Sequence, residues 1–181
     1  GFAASGLRVC VQDIRLDAAE RVALEIGPTA FALQADVSDP ASVSAAAERL
    51  AAKGDPLSIL WINAGVGVGS GLLRAKPSAV EWGYGVNAMG MIWTAQAFVP
   101  LMTGEEPKHV GFTASTASLR TPAPPNGLYA TTKHASLGVA EGLASELAAQ
   151  SIASTILMPG LFNTDIWDGA RARPERFGGP R

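Results

Sequence analysis

Tyr129-Ala130-Thr131-Thr132-Lys133 sets a phenol and an ammonium four residues apart. In a helix such positions lie on one face, one turn from each other. A phenol ordinarily ionises near pH ~10, too high for a general base at neutral pH. A neighbouring cation favours the phenolate and draws that value toward the working range. The pair alone is common on solvated helix faces. It gains weight from Ser115, 14 residues upstream in Phe112-Thr113-Ala114-Ser115, where an apolar run that reads as a strand should end.

These residues need a scaffold, and the chain supplies an alternating one. Short apolar runs at 7–12, 29–34, 57–62, 109–114 and 152–157 read as strands. Helical patterns fall between them at 16–26, from 40 to about 53, at about 78–102 and at about 126–150. Ser38-Asp39-Pro40 offers an N-cap with proline in the first turn of the second helix. Such alternation argues an α/β fold: a doubly wound, Rossmann-like parallel sheet in a three-layer α/β/α arrangement, with ligands outside the strands' carboxyl ends. No linker or repeat interrupts it, so residues 1–181 read as one domain.

Ser115, Tyr129 and Lys133, in that order, resemble the short-chain dehydrogenase/reductase family, and the resemblance covers nearly the whole chain. Asn63-Ala64-Gly65, closing the run Leu57-Ser58-Ile59-Leu60-Trp61-Ile62, is similar to the family's Asn-Ala-Gly signature. Asn87 in Val86-Asn87-Ala88 falls where the family carries its helix asparagine. Asp36-Val37 matches the adenine-contacting pair. Pro159-Gly160, with Phe162 and Thr164 close behind, is similar to the loop that touches the nicotinamide carboxamide. The resemblance implies hydride transfer between a nicotinamide cofactor and an alcohol or ketone. Tyr129 would move the hydroxyl proton, and Lys133 would hold the ribose and lower the Tyr129 pKa. Ser115 would hydrogen-bond the substrate oxygen, with Thr116 a weaker candidate for that role. Asn87 would hold the water linking Lys133 to solvent.

Cofactor choice is read at Asp13, after Val9-Cys10-Val11-Gln12. An acid there can hydrogen-bond both ribose hydroxyls and repel a 2′-phosphate, favouring NAD over NADP, although Arg15 could soften the preference. The competing reading makes Asp13 a capping turn residue. Folds of this kind open with a strand and a glycine-rich phosphate turn. Here residues 1–6 read as the last turn of the helix after it, so the chain is expected to be a fragment lacking the first strand. At the other end 171–181 reads as the start of a substrate loop, and the C-terminal strand is expected to be missing too. The glycines at 65, 69 and 71 mimic a phosphate turn, but neither a helix nor a strand-end acid follows at the right distance, so the run is expected to be a mobile loop.

Composition bounds the function classes. With 48% hydrophobic and 17% charged residues the chain can build a core. A net charge of −2 without a basic run argues against nucleic acid or an anionic membrane as partner. Cys10 is single and reads as a buried small hydrophobe, which excludes a disulfide within one chain. No apolar stretch approaches the ~20 residues of a membrane span and no signal peptide opens the chain, so the cytoplasm is the expected location. His134, about 100° round the helix from Lys133, reads as a surface residue. His109 lacks a partner at ligand spacing, so no metal is expected. Trp61, Trp82 and Trp93 read as core, and Trp167 as a pocket residue.

Two readings of different class follow. The first is an NAD-dependent oxidoreductase acting on a secondary alcohol or ketone of some bulk, since Leu161, Phe162, Ile166 and Trp167 suggest an apolar pocket. The second is a truncated, inactive relative acting as a binding or oligomerisation protein. The resemblance implies a homo-oligomer, dimer or tetramer, in either case. Asn87, Ser115, Tyr129 and Lys133 together favour the enzyme.

Overall fold

The computed structural model describes residues 1–120, 125–162, 166 and 172–180. The expected alternation is present: β1 (Val9–Asp13), α1 (Leu16–Ile26), β2 (Ala30–Gln34), α2 (Pro40–Ala51), β3 (Ile59–Ile62), α3 (Pro77–Tyr84), α4 (Gly90–Phe98), β4 (His109–Thr113), α5 (Gly127–Ala148) and β5 (Ala153–Leu157). All pairings are parallel, and the fold is Rossmann-like.

The strands form two parallel groups. β1 pairs only with β2, and β3-β4-β5 form a second sheet. Register runs Val9↔Ala30 to Asp13↔Gln34 in the first, and Ile59↔His109 and His109↔Ala153 open the pairings of the second. The two sheets flank a cleft; Arg8, just before β1, pairs with Asp55, before β3, and Phe2 makes a ring contact with Trp61 of β3.

Helix α2 shows why the layers form where they do. Asp39 caps it by accepting the Ala41 N–H at 3.1 Å, and Pro40 occupies the first turn, where its missing N–H costs nothing. Val43, Ala46, Ala47 and Leu50 recur at helical spacing and pack with Leu33, Ala35 and Phe98. A second cluster joins Ile62, Met91, Val110, Phe112, Ala140 and Ile152, placing α4 and α5 on the same side of β3-β4-β5. Helix α1 packs against β1 and β2. The helical layer on that side covers only part of the strands, and Leu157 and Trp61 are exposed there.

Trp61 therefore departs from its expected place in the core. Its ring lies over Gly111, where an added Cβ would come within 2.3 Å of Cε3, and its Nε1 donates to Thr113 Oγ1 at 3.0 Å. The long helix expected over 78–102 is present as a continuous helical run whose hydrogen-bond register changes inside it. A π turn at Gly85–Met89 separates α3 from α4, and Pro100 lies in a closing 3₁₀ turn at Val99–Leu101. Among the described residues no helix is long and apolar enough to cross a membrane.

Candidate active site

A cleft of about 1470 Å³ runs between β1 and β3 from Leu7 and Asp55 to the strands' carboxyl ends and the turns that follow them. Asp13, Asp36, Val37, Asn63, Ala64, Gly65, Ser115, Tyr129, Lys133, Pro159, Gly160 and Phe162 all line it. Asn87 lies just behind its wall. Thr164 and Trp167 fall outside the described residues.

Tyr129 and Lys133 occupy the first two turns of α5, which begins at Gly127. Ser115 follows β4 and caps a short 3₁₀ turn, its Oγ accepting the Ala117 N–H at 3.1 Å. Its hydroxyl also hydrogen-bonds the Tyr129 phenol. The next residue, Thr116, donates its N–H to Pro159 O at 3.0 Å, which ties the β4 turn to the loop after β5. Thr116 lines the cleft as well.

Lys133 is 2% exposed, and its Nζ donates to Thr113 O at 3.4 Å. Burial lowers its pKa to about 8. Burial also pushes the Tyr129 phenol above its ordinary value, opposed by the hydrogen bond from Ser115. The direction is opposite to the one expected for a phenol beside a lysine. Desolvation of the phenolate is the larger cause, and the Lys133 ammonium donates to the β4 carbonyl.

Asn87 sits in the π turn with no exposed surface. Its Nδ2 donates to Val66 O (3.0 Å) and Thr132 Oγ1 (2.8 Å), and its Oδ1 accepts the Val66 N–H at 2.8 Å. Both amide hydrogens are committed, so this side chain clamps the 65–66 loop against α5 and keeps only an Oδ1 lone pair for the water relay expected of it. Its carbonyl accepts from Ser136 Oγ at 2.6 Å. The clamp also fixes Gly65, where an added Cβ would stand 3.3 Å from Lys133 Nζ.

Asn63 accepts from Thr113 Oγ1 at 2.9 Å and is exposed to the cleft. Asp13 ends β1, lines the cleft and accepts the Arg15 N–H at 2.8 Å on one oxygen, a turn-capping bond. Asp36 is more engaged. Its Oδ1 accepts from the Ser38 N–H and Oγ, and its Oδ2 from Arg176 Nη2 at 2.6 Å. The glycine run 65–71 leads into a 3₁₀ turn at Leu72–Arg74, not a helix. It is anchored rather than free, with Val68 buried, Gly67 N bonded to Ile166 O and Leu128 N bonded to Ser70 O.

Sequence reasoning missed Thr132, Ser118, Ser136 and Arg176. Thr132 and Ser136 are fully buried one helical turn apart, and Ser118 Oγ donates to the Lys133 carbonyl at 2.7 Å. A buried polar pair at i and i+4, starting between the tyrosine and the lysine, was the available signal for the first two. His134 is exposed and bonds the Ala130 carbonyl, and His109 bonds Thr155. Cys10 lines the cleft half-buried, and burial raises its thiol pKa to about 11.

The residues present fit a nicotinamide dinucleotide. A buried cation, with no carboxylate partner among the described residues, opens on the cleft. Gly65 lets the backbone come up against it. An acid ends β1 where a ribose diol could be read.

A family model described as short chain dehydrogenase matches residues 1–175. The chain is 32% identical to 1-deoxy-11-beta-hydroxypentalenate dehydrogenase of Streptomyces exfoliatus, over 98% of this chain and 66% of that one. It is 29% identical to sorbitol dehydrogenase of Cereibacter sphaeroides, over 95% of this chain and 67% of that one. The fold is similar to a short chain dehydrogenase/reductase from Burkholderia phymatum solved with NAD. The TM-score is 0.86 at 31% identity, covering 99% of this chain and 67% of that one. The chain thus spans about two thirds of the length of these relatives.

Proposed function

The chain belongs to the short-chain dehydrogenase family, and from that premise we propose that it serves an NAD-dependent oxidoreductase interconverting a secondary alcohol and a ketone. The observation that carries the reading is the Ser115–Tyr129 hydrogen bond, with Lys133 one turn further along α5. The bound nicotinamide supplies or accepts the hydride. Tyr129 gives or takes the hydroxyl proton, and Ser115 holds the substrate oxygen beside it. Lys133 is mostly protonated at neutral pH, given its pKa of about 8, so it favours the phenolate as the proton leaves and can hold the ribose. Asn87, through Val66, keeps the backbone at Gly65 against that ammonium.

Asp13 supports NAD over NADP, since this acid lines the cleft at the end of β1. Asn63, Ala64, Gly65, Asp36, Val37, Pro159, Gly160 and Phe162 form the remaining cofactor wall in this reading, with Thr164 assigned by sequence alone. The substrate end is apolar. Leu161 and Phe162 are exposed at the mouth, which suits a bulky hydrocarbon body around the carbinol. A hydroxypentalenate and sorbitol, named for two relatives, both carry secondary alcohols. A homo-oligomer, dimer or tetramer, belongs to the same reading.

The test follows nicotinamide absorbance with a panel of apolar secondary alcohols, for the chain as given and for Tyr129→Phe. Turnover with NAD is expected, and the phenylalanine variant should bind NAD equally well while losing ~10²–10⁴ in kcat. Equal turnover by the two proteins would sink the reading.

A further inference from the structure

Trp61 lies in β3 and Asn63 two residues on, while Gly111 and Thr113 stand in the same relation in β4. Side chains alternate along a strand, and Trp61 is in register with Gly111, so all four residues share one face of the sheet. Gly111 decides how the indole lies there. A Cβ on it would come within 2.3–2.6 Å of Trp61 Cε3, Cζ3 and Cδ2, so only glycine lets the ring cross β4 and reach its diagonal neighbour Thr113. Trp61 Nε1 donates to Thr113 Oγ1 at 3.0 Å, and Thr113 Oγ1 donates to Asn63 Oδ1 at 2.9 Å.

The order of donors along this chain of groups is imposed by its first member. An indole N–H can only donate, so it takes an acceptor position on the Thr113 hydroxyl. The hydroxyl proton then needs an acceptor of its own, and the Asn63 amide offers one only with its oxygen turned inward. With the nitrogen turned inward, Oγ1 would meet two donors and its proton would lose its acceptor on Asn63. Nδ2 is therefore directed away from Thr113, and no described residue accepts from it. Asn63 itself is exposed and lines the cleft. Thr113 has a second contact with the site, because its main-chain carbonyl accepts from Lys133 Nζ at 3.4 Å. Carbonyl and hydroxyl are separate groups, so loss of the hydroxyl leaves the lysine its acceptor.

We propose that Thr113 is a positioning residue for the cofactor: its hydroxyl, aimed by Trp61, holds the Asn63 amide so that Nδ2 stands as a hydrogen-bond donor for an oxygen of the bound dinucleotide. This rests on the dinucleotide reading given above. Ribose and phosphate oxygens make such a ligand rich in acceptors, which suits a donor at the cleft wall. An amide already held in place has no rotamer freedom left to lose when the ligand arrives.

NMR on the chain without cofactor tests the relay. The nuclear Overhauser contact between the Asn63 amide protons and the Thr113 methyl should be weak in the parent. It should strengthen in Trp61→Phe, where the amide can turn either way, and in Gly111→Ala, which must displace the ring. A strong contact in the parent, or none gained in either variant, would overturn the proposal. NADH titration tests the consequence. Thr113→Val should weaken binding about five- to tenfold, the worth of one oriented hydrogen bond, while Thr113→Ser, which keeps the hydroxyl, should not. In an Asn63→Ala background Thr113→Val should cost nothing further, since its effect runs through the amide. In turnover, kcat should hold within about twofold while KM for NAD rises, because Lys133 keeps the Thr113 carbonyl. A loss that adds to that of Asn63→Ala, or one that falls on kcat, would overturn the proposal. A parent that binds no NADH would sink the dinucleotide reading and this role with it, whereas a parent that binds NADH no better than Thr113→Val would sink this role alone.

Discussion

Gly65 and Lys133 are 68 residues apart, yet a Cβ built on Gly65 would stand 3.3 Å from Lys133 Nζ and 3.5 Å from Asn87 Oδ1. The glycine is thus the floor on which the ammonium rests, and its missing side chain is what allows the cleft to end in a buried cation. Contacts of 3.0–3.4 Å require a neighbour to move by tenths of an ångström, and here the neighbour is the group that should tune Tyr129.

Gly65→Ala should therefore fold, with a melting temperature near that of the parent, and lose about tenfold or more in kcat/KM by displacing Lys133. Thermal unfolding and initial rates on the same preparation test this. An unchanged rate would show that the ammonium tolerates the shift.

Lys133→Met should trade activity for stability. In the unfolded chain Lys133 titrates near 10.5, and in the fold near about 8, so burial of the charge opposes folding. The sign follows from linkage: between those values the unfolded state binds more protons, and wild-type stability rises with pH from about 8 toward 10.5. Below about pH 8 the cost is fully present, roughly 3 kcal/mol from the size of the shift. Urea unfolding at pH 7 should find the variant more stable by about 1–3 kcal/mol, allowing for the lost bond to Thr113 O. The difference from wild type should shrink as pH rises. Cys10, whose raised pKa makes an opposite contribution between 9.0 and about 11, is present in both proteins and cancels.

Asn87→Ala should cost stability as well as rate. It would orphan the Val66 N–H and carbonyl and remove a partner of Thr132 in a fully buried place. A loss of about 2–4 kcal/mol in denaturant unfolding is expected, within the range for orphaned buried groups. A variant as stable as the parent would mean that the 65–66 loop is held by something else.

Asp13→Ala should move cofactor preference toward NADP, since the acid repels a 2′-phosphate and Arg15 lines the cleft two residues on. The ratio of kcat/KM for the two cofactors measures it. A ratio that does not move would return Asp13 to its capping role toward the Arg15 N–H.

Much of the fold was legible because its signals are local. Asp39-Pro40 announced the start of α2, the spacing of Val43, Ala46, Ala47 and Leu50 gave its buried face, and Tyr129 to Lys133 is a single helical turn. The π turn inside the 78–102 helix was not legible. Gly85, Val86, Asn87 and Ala88 fit an ordinary α-helix until the partners of Asn87 are known, and those lie 21 and 45 residues away. Trp61 read as core because its strand is apolar, whereas its exposure depends on which strand edge and face remain uncovered.

The sequence by itself determined the order of the motifs, the parallel α/β plan and the family, since strand ends, caps and i,i+4 pairs are written in neighbouring residues. Tertiary structure decided the rest. It committed Asn87 to Val66 and Thr132 and brought Arg176 onto Asp36 across 140 residues. It also set the sign of the Tyr129 shift. Proximity to a lysine is a property of spacing, but the balance of desolvation against charge is a property of what the folded chain packs around both groups.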